Sequence, residues 1–227
     1  MTVRDRRELR RRLVAVASTQ SGYFSAAQAL AAGYSYQAQK QNADRGNWRK
    51  VGRGIFRLPE WPAGRREDLV RLALWSRGRG VVSHDSALSV HELGDLNPAR
   101  THLTVPPGFR QRAPRGVVLH RGELPAADVR DQEGFRVTTP LRSLLDAAAG
   151  DLEPDLLAGA IDDALEQGLL TRTSLLARAD QLGPKAALRV ERALRARGPR
   201  ERGQDPGTRD EAIPSLSPPV NSIRGDS

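Results

Sequence analysis

Two short helical segments separated by a glycine turn most restrict the folds open to the N-terminal part of this chain. Ser25 opens the first segment and Gln28 stands three residues later, the spacing of a capping box that starts a helix. Gly33 ends that segment, and Ser35 can cap a second one that runs to about Asp44. A glycine-containing turn between two short helices is typical of a helix-turn-helix.

An amphipathic helix precedes this pair, and a hairpin follows it. Apolar residues recur at three- to four-residue spacing over about residues 5–18, which predicts the helix. Apolar and basic residues alternate around Gly52 and Gly54 within residues 48–58, which predicts a short β-hairpin with an arginine at its tip. Three helices and a basic hairpin together predict a winged helix-turn-helix domain over residues 1–62.

The net charge of the chain comes from this N-terminal part. The whole chain has 36 Lys and Arg against 27 Asp and Glu, a formal net charge of +9. Residues 1–66 hold 14 basic and 4 acidic residues, a difference of +10, whereas residues 67–197 hold 18 of each and residues 198–227 hold 4 and 5. A positive lobe on a neutral body suggests nucleic acid as partner, because bound Lys and Arg release counterions from phosphates. A solvated basic surface is the alternative.

The docking geometry of a winged helix assigns roles to the third helix and the hairpin. That helix would enter the major groove of double-stranded DNA with Ala38 facing inward, and its N-terminal end would face bases or phosphates. Cations of the hairpin would bind the DNA backbone or a neighbouring minor groove. The predicted DNA-binding residues are Ser35, Tyr36, Gln37, Gln39, Lys40, Arg45, Arg49, Lys50 and Arg53.

Residues 63–197 are predicted to form a mixed α/β domain with a helical C-terminal part. Ser83 is predicted to cap one helix, and Thr139 precedes Pro140 at the start of another. Helical patterns cover about residues 66–76, 83–93, 140–148, 154–167, 173–181 and 185–197, and strand-like runs lie at 81–82, 102–105, 117–120 and 135–137. Residues 198–227, rich in Pro, Ser and Asp, are predicted to be a disordered tail. The predicted fold class is therefore α+β.

Composition excludes some classes of protein. Because the chain has no cysteine, it has no disulfide, no thiolate metal site and no cysteine nucleophile. No apolar stretch approaches the roughly 20 residues that cross a bilayer, and the Arg-rich start lacks an apolar signal core. We therefore expect a cytoplasmic, soluble protein that makes no membrane contact.

Four histidines raise the alternative of a metal-dependent hydrolase. His84 and His91 fall two turns apart on one predicted helix face, whereas zinc sites on helices more typically use i, i+4 spacing or an HExxH motif. Histidines that bond strand or loop carbonyls are the favoured interpretation for this pair and for His102 and His120. We therefore predict no enzyme, no catalytic residue, no metal and no cofactor.

A nuclease-like domain is a second enzymatic alternative. Such sites use acidic metal ligands and usually a lysine near a strand, but residues 67–183 contain no lysine. Asp146 stands four residues after Arg142, and an ion pair between them on one helix is the ordinary interpretation of that spacing.

Short motifs occur in a fixed order along both parts of the chain. They lie at residues 22–33, 46–48, 52–59, 82–88, 102–106, 119–121 and 137–146, and include Val82-Ser83-His84-Asp85-Ser86-Ala87-Leu88. In this order the motifs resemble the AbiEi family, antitoxins of type IV toxin-antitoxin and phage-defence systems, over about residues 8–182. The resemblance implies a winged-helix domain that represses its own operon by binding the operator. It also implies a C-terminal domain that counters a nucleotidyltransferase-like toxin.

Several points stay open within this hypothesis. The protein would counter the toxin either by direct contact or indirectly. The resemblance also does not show that a toxin gene lies beside the gene of this protein. A stand-alone regulator and a protein-interaction adaptor without a toxin are the remaining alternatives. A palindromic operator would favour a homodimer.

Overall fold

The computed structural model describes residues 3–196, which belong to one compact unit. Within this range the fold is α+β, as predicted, with helices packed on two sheets. No helix in the described range combines the length and the apolar content needed to cross a membrane. The predicted disordered tail at residues 198–227 lies outside the described residues, and the domain boundary near residue 62 stays a prediction.

The N-terminal elements have the arrangement of a winged helix-turn-helix. In chain order they are α1 (Val3–Ser18), β1 (Tyr23–Ser25), α2 (Ala26–Ala31), α3 (Tyr36–Asp44), β2 (Arg49–Gly52) and β3 (Ile55–Arg57). The strands form an antiparallel sheet in the order β1-β3-β2, and we call the β2–β3 hairpin the wing. The three predicted helices and the hairpin are confirmed, whereas β1 was not predicted.

Local signals fix the starts of α2 and α3 and the turn between them. The Ser25 Oγ accepts a hydrogen bond from the Gln28 backbone N–H at 3.2 Å, and the Gln28 side chain accepts one from the Ser25 N–H at 2.8 Å. Ser35 caps α3 by accepting from the backbone N–H of Ala38 at 3.2 Å. Gly33 has a φ of +105°, and a Cβ there would lie 2.4 Å from the Leu9 side chain. The helix-turn-helix therefore needs glycine at this position.

Trp48 is at the centre of the N-terminal core. Its ring lies 4.9 Å from the rings of Phe24 and Tyr34, in edge-to-face geometry, and 5.6 Å from the ring of Phe56. Buried aliphatic side chains complete this core, namely Leu13, Ala17, Ala29, Ala32 and Leu58.

A five-stranded mixed sheet forms the middle of the chain. Its elements are α4 (Glu67–Trp75), β4 (Val81–Val82), α5 (His84–Val90), β5 (Thr101–Val105), β6 (Val117–Arg121), a 3-10 turn (Ala126–Asp128), β7 (Val129–Gln132) and β8 (Phe135–Thr138). The strand order is β6-β5-β4-β8-β7, with β5 parallel to β6 and β4 parallel to β8. The predicted strands are confirmed, and β7 was missed. The prediction for Ser83 is wrong, because its side chain makes no capping hydrogen bond to α5.

The C-terminal part of the described chain is helical, as predicted. It contains α6 (Pro140–Ala149), α7 (Pro154–Glu166), α8 (Arg172–Leu182) and α9 (Pro184–Ala196). Thr139 caps α6 by accepting from the backbone N–H of Arg142 at 3.3 Å. Gly94, with a φ of +76°, lets α7 approach closely, since a Cβ there would lie 2.9 Å from the Cβ of Ala160.

Glu67 at the start of α4 connects the N-terminal sheet to the rest of the chain. Its carboxylate accepts hydrogen bonds from the Tyr23 hydroxyl at 2.8 Å, the Arg57 guanidinium at 2.7 Å and the Gly64 backbone N–H at 2.9 Å. The side chains of Arg57 and Glu67 are only 11% and 22% exposed. The hydrogen bond from Gly64 is the largest cause of a lowered pKa of Glu67, to which Tyr23 and Arg57 also contribute against the opposing effect of burial.

We expect Glu67→Gln to lower the free energy of unfolding near pH 7 by about 1–3 kcal/mol, because it weakens hydrogen bonds to a charged group. The lowered pKa means that this contribution is present above the ordinary glutamate value of about 4.3 and is lost as the pH falls through the folded value. Urea unfolding of both proteins across that pH range checks the prediction.

Glu60→Gln is the matched control, because Glu60 forms an ion pair with Arg10 in which the two side chains are 49% and 59% exposed, respectively. That substitution should change stability by less than about 1 kcal/mol. A loss in the Glu67 variant that is the same at every pH would contradict the role of the charge.

Candidate nucleic-acid interface

The exposed side of α3 carries most of the predicted helix contacts. Tyr36, in the first turn, is 70% exposed. Other predicted contacts that are also exposed are Ser35, Gln37, Lys40 and Arg45. The N-terminal end of α3 therefore presents one aromatic and several polar side chains to solvent.

The prediction that Gln39 faces DNA is wrong. Gln39 is 3% exposed, and its Nε2 donates hydrogen bonds to the carbonyl oxygens of Ala26 and Tyr34, both at 3.1 Å. Ala38, predicted to face inward, is only half-buried. Gln39 is thus the buried residue of α3, one position later than the apolar pattern indicates, and its amide donates to two carbonyl groups near the turn.

Lys40 already has an acidic partner on its own helix. Its Nζ lies 2.6 Å from the Oδ2 of Asp44, with side chains 78% and 59% exposed. The hydrogen bond to Asp44 raises the pKa of Lys40, so this side chain is cationic at neutral pH. Because exposed pairs contribute little free energy, a phosphate can compete with Asp44 for this ammonium.

The cations of the wing do not form a single row. Arg49 lies opposite Arg57 in the sheet and Lys50 lies opposite Phe56. Successive side chains of a strand point to opposite faces, so Arg49 and Lys50 face different sides of the wing. All three predicted wing residues are exposed, and Arg53 lies in the turn at the tip.

Tyr36 and Arg53 line one open groove with a volume of about 2050 Å³. The segment after α4, the loop at residues 111–112 and the β7–β8 hairpin also line this groove. The charged residues that these segments contribute are Arg77, Arg112 and Arg136, with Asp131 and Glu133. These three arginines were not predicted, because the charges of residues 67–197 balance and give no signal of a local excess.

His84 and His91, weighed above for a metal site on one helix face, do not lie together, and the favoured structural interpretation is confirmed for His91. The His91 Nε2 lies 2.7 Å from the carbonyl oxygen of Thr138, as expected for a structural histidine that bonds a strand carbonyl. The ring of His84 instead stacks on that of His120 at 3.6 Å and lies 5.8 Å from that of His102. Burial, followed by the two neighbouring histidines, lowers the pKa of His84 to about 3. Burial also lowers the pKa of His102 and of His120, so all three rings are neutral near pH 7.

Two buried carboxylates are engaged by arginines. The predicted ion pair of Arg142 with Asp146 is confirmed at 2.8 Å. Arg142 also lies 3.2 Å from Asp128, which pairs with Arg178 at 2.9 Å. Burial raises the pKa of Asp146, although Arg142 opposes this effect.

No protein-family model matches this chain, and no curated protein matches it. Among solved structures, the chain is similar to the crystal structure of the RV2827C protein from Mycobacterium tuberculosis, with 17% sequence identity and a TM-score of 0.43. The similarity covers 84% of this chain and 82% of that chain.

We expect Gln39→Leu to lower the free energy of unfolding by about 1–3 kcal/mol, because it removes the two hydrogen bonds that the buried Gln39 amide donates to the carbonyl oxygens of Ala26 and Tyr34. Gln37→Leu places the same change on the exposed face of α3 and should stay within about 0.5 kcal/mol of the unaltered protein. Thermal or urea unfolding of the two variants measures the difference. Equal stability of the two would contradict the structural role of Gln39.

Proposed function

We propose that this protein is a DNA-binding transcriptional autorepressor and antitoxin of a type IV, AbiEi-like toxin-antitoxin or phage-defence system. Helix α3 and the wing bind the operator of the protein's own operon, and the part after residue 62 counters a nucleotidyltransferase-like toxin. The observation that carries the DNA-binding role is the exposed N-terminal end of α3, where Tyr36 lines one groove with Arg53 at the tip of the cationic wing. Both lie in a part of the chain where basic residues exceed acidic ones by 10 (14 against 4).

The start of α3 suits contact with DNA for two physical reasons. The N-terminal backbone N–H groups and the helix dipole favour a phosphate near Ser35. Tyr36 and Gln37 project from the same turn, and a glutamine side chain can bond an adenine edge in the major groove. Lys40 and Arg45 then serve as phosphate contacts that set the register of the helix.

The groove extends this surface beyond α3 and the wing. Arg77, Arg112 and Arg136 face the same space as Tyr36 and Arg53. A DNA backbone that runs along the groove would therefore meet cations from both parts of the chain. Each phosphate neutralised in this way adds to the salt dependence of binding.

The antitoxin role rests on the motif resemblance. Co-expression of this protein with the product of the neighbouring gene tests it, with rescue of growth as the expected result. Failure of rescue while operator binding persists would favour the stand-alone regulator. We retain a cytoplasmic location and a homodimer on a palindromic operator as parts of this proposal.

Fluorescence anisotropy with DNA from the protein's own promoter and with a shuffled duplex, over a range of salt concentrations, tests DNA binding. Arg53→Ala should weaken binding to both duplexes and reduce the slope of log K against log salt by about 1, because one phosphate contact is lost. Gln37→Ala should cost about 1–3 kcal/mol on the promoter DNA with no change in slope, because it removes a base contact.

Arg192→Ala is the matched control, since it removes one positive charge from an exposed position of α9. Its affinity should stay close to that of the unaltered protein. Unchanged affinity in both the Arg53 and Gln37 variants, or an equal loss in the Arg192 variant, would overturn the docking geometry. Competition of a bound acidic protein by excess nonspecific DNA separates the adaptor alternative from DNA binding.

A further inference from the structure

Three of the four histidines of the chain converge from three different elements. His84 is the first residue of α5, which Ser83 alone separates from β4, His102 lies on β5 and His120 lies on β6. The parallel register of β5 and β6 aligns His102 with Val118 and His120 with Thr104. Since Val118 and His120 are two residues apart on one strand, the side chains of His102 and His120 lie on the same face of the sheet.

The spacing of the His102 and His120 nitrogens suits two ligands of one shared ion. The His120 Nε2 lies 3.3 Å from the His102 Nδ1, longer than the roughly 2.7–3.2 Å of good hydrogen bonds from nitrogen. Two imidazole nitrogens on one tetrahedral zinc ion, at about 2.0–2.1 Å each, are about 3.3–3.4 Å apart. One nitrogen from each of the three rings lies within 4.8 Å of the others. The His84 ring, stacked on His120, has to rotate to complete the set.

The hydroxyl of Ser83 can select the tautomer of the His84 ring. Its Nδ1 lies 3.0 Å from the Oγ of Ser83, which also accepts a hydrogen bond from the Thr104 hydroxyl at 2.8 Å. When Nδ1 carries the proton and donates to Ser83, the lone pair of Nε2 is free for a ligand, as at many metal-bound histidines. His84 also has a φ of +53°, a strained left-handed conformation of the kind that clusters at functional sites.

We propose that His84, His102 and His120 form a binding site for one divalent first-row transition metal ion, best matched by Zn²⁺. Imidazole nitrogens suit Zn²⁺, Co²⁺, Ni²⁺ and Cu²⁺, and three protein ligands leave a fourth position for water. The half-buried carboxylate of Asp85 adds negative charge close to His102 and His120. This site is separate from the residues assigned to DNA and does not depend on that function.

Titration of untagged, EDTA-treated full-length protein with Zn²⁺, followed by calorimetry, tests the site. We expect one equivalent to bind and, at about 100 times the dissociation constant, to raise the Tm by about 5–10 °C. Ser83→Ala should weaken binding by about 10- to 100-fold, because the partner of the His84 ring is lost. His102→Gln and His120→Gln should weaken it more, since each removes a ligand.

His91→Gln is the matched control, because Gln can still donate to the carbonyl oxygen of Thr138 and His91 lies outside the cluster. It should bind metal as the unaltered protein does. The Co²⁺ spectrum of the unaltered protein keeps the proposal testable where a ligand variant fails to fold, with strong visible bands expected for tetrahedral coordination. No binding of Zn²⁺, or a weak Co²⁺ spectrum typical of octahedral coordination, would overturn the site. So would His102→Gln and His120→Gln variants that bind metal as tightly as the unaltered protein does.

Discussion

The ring contacts of Trp48 fix the position of α3 relative to the wing. Trp48 contacts Phe24 on β1, Tyr34 in the turn before α3 and Phe56 on β3, so one side chain joins the helix-turn-helix to the sheet. Ring pairs at such distances each contribute about 0.5–1.5 kcal/mol beyond the burial of their surface. This core matters because basic residues exceed acidic ones by 10 (14 against 4) in residues 1–66, and like charges oppose compaction. A less cohesive core would leave the exposed cations without a fixed geometry.

The N-terminal sheet and the larger sheet are also joined by packing. Tyr23 and Ile55 belong to the same buried core as Val70 of α4 and Val82 of β4, and Glu67 adds hydrogen bonds at the edge of that contact. The wing and the β7–β8 hairpin, which both line the groove, each contribute a strand to this core. A surface that is ordered before binding loses less conformational entropy when a ligand docks, so the proposed DNA contacts need not be assembled on the DNA.

Local signals in the sequence predicted most elements, whereas features set by distant contacts were missed. Ser25, Ser35 and Thr139 mark helix starts correctly, because a cap is decided within three or four residues. β1 and β7 have only three and four residues and become strands by pairing with β3 and β8. Gln39 was misplaced because a buried amide does not register as apolar, although it satisfies two carbonyl groups. Ser83 looked like a cap, but its hydroxyl contacts Thr104, 21 residues later.

The two candidate sites are encoded at different ranges along the chain, and this determines what each requires of the fold. The predicted DNA contacts lie within residues 35–53, so they need only the turn, α3 and the wing to form correctly. His84, His102 and His120 are separated by intervals of 18 residues and meet only when β5 and β6 pair in the observed register. A slip of one residue between these strands would move His120 to the other face of the sheet. An ion held by the three rings would therefore stabilise this register together with the start of α5, and its effect on stability would arise in the larger sheet.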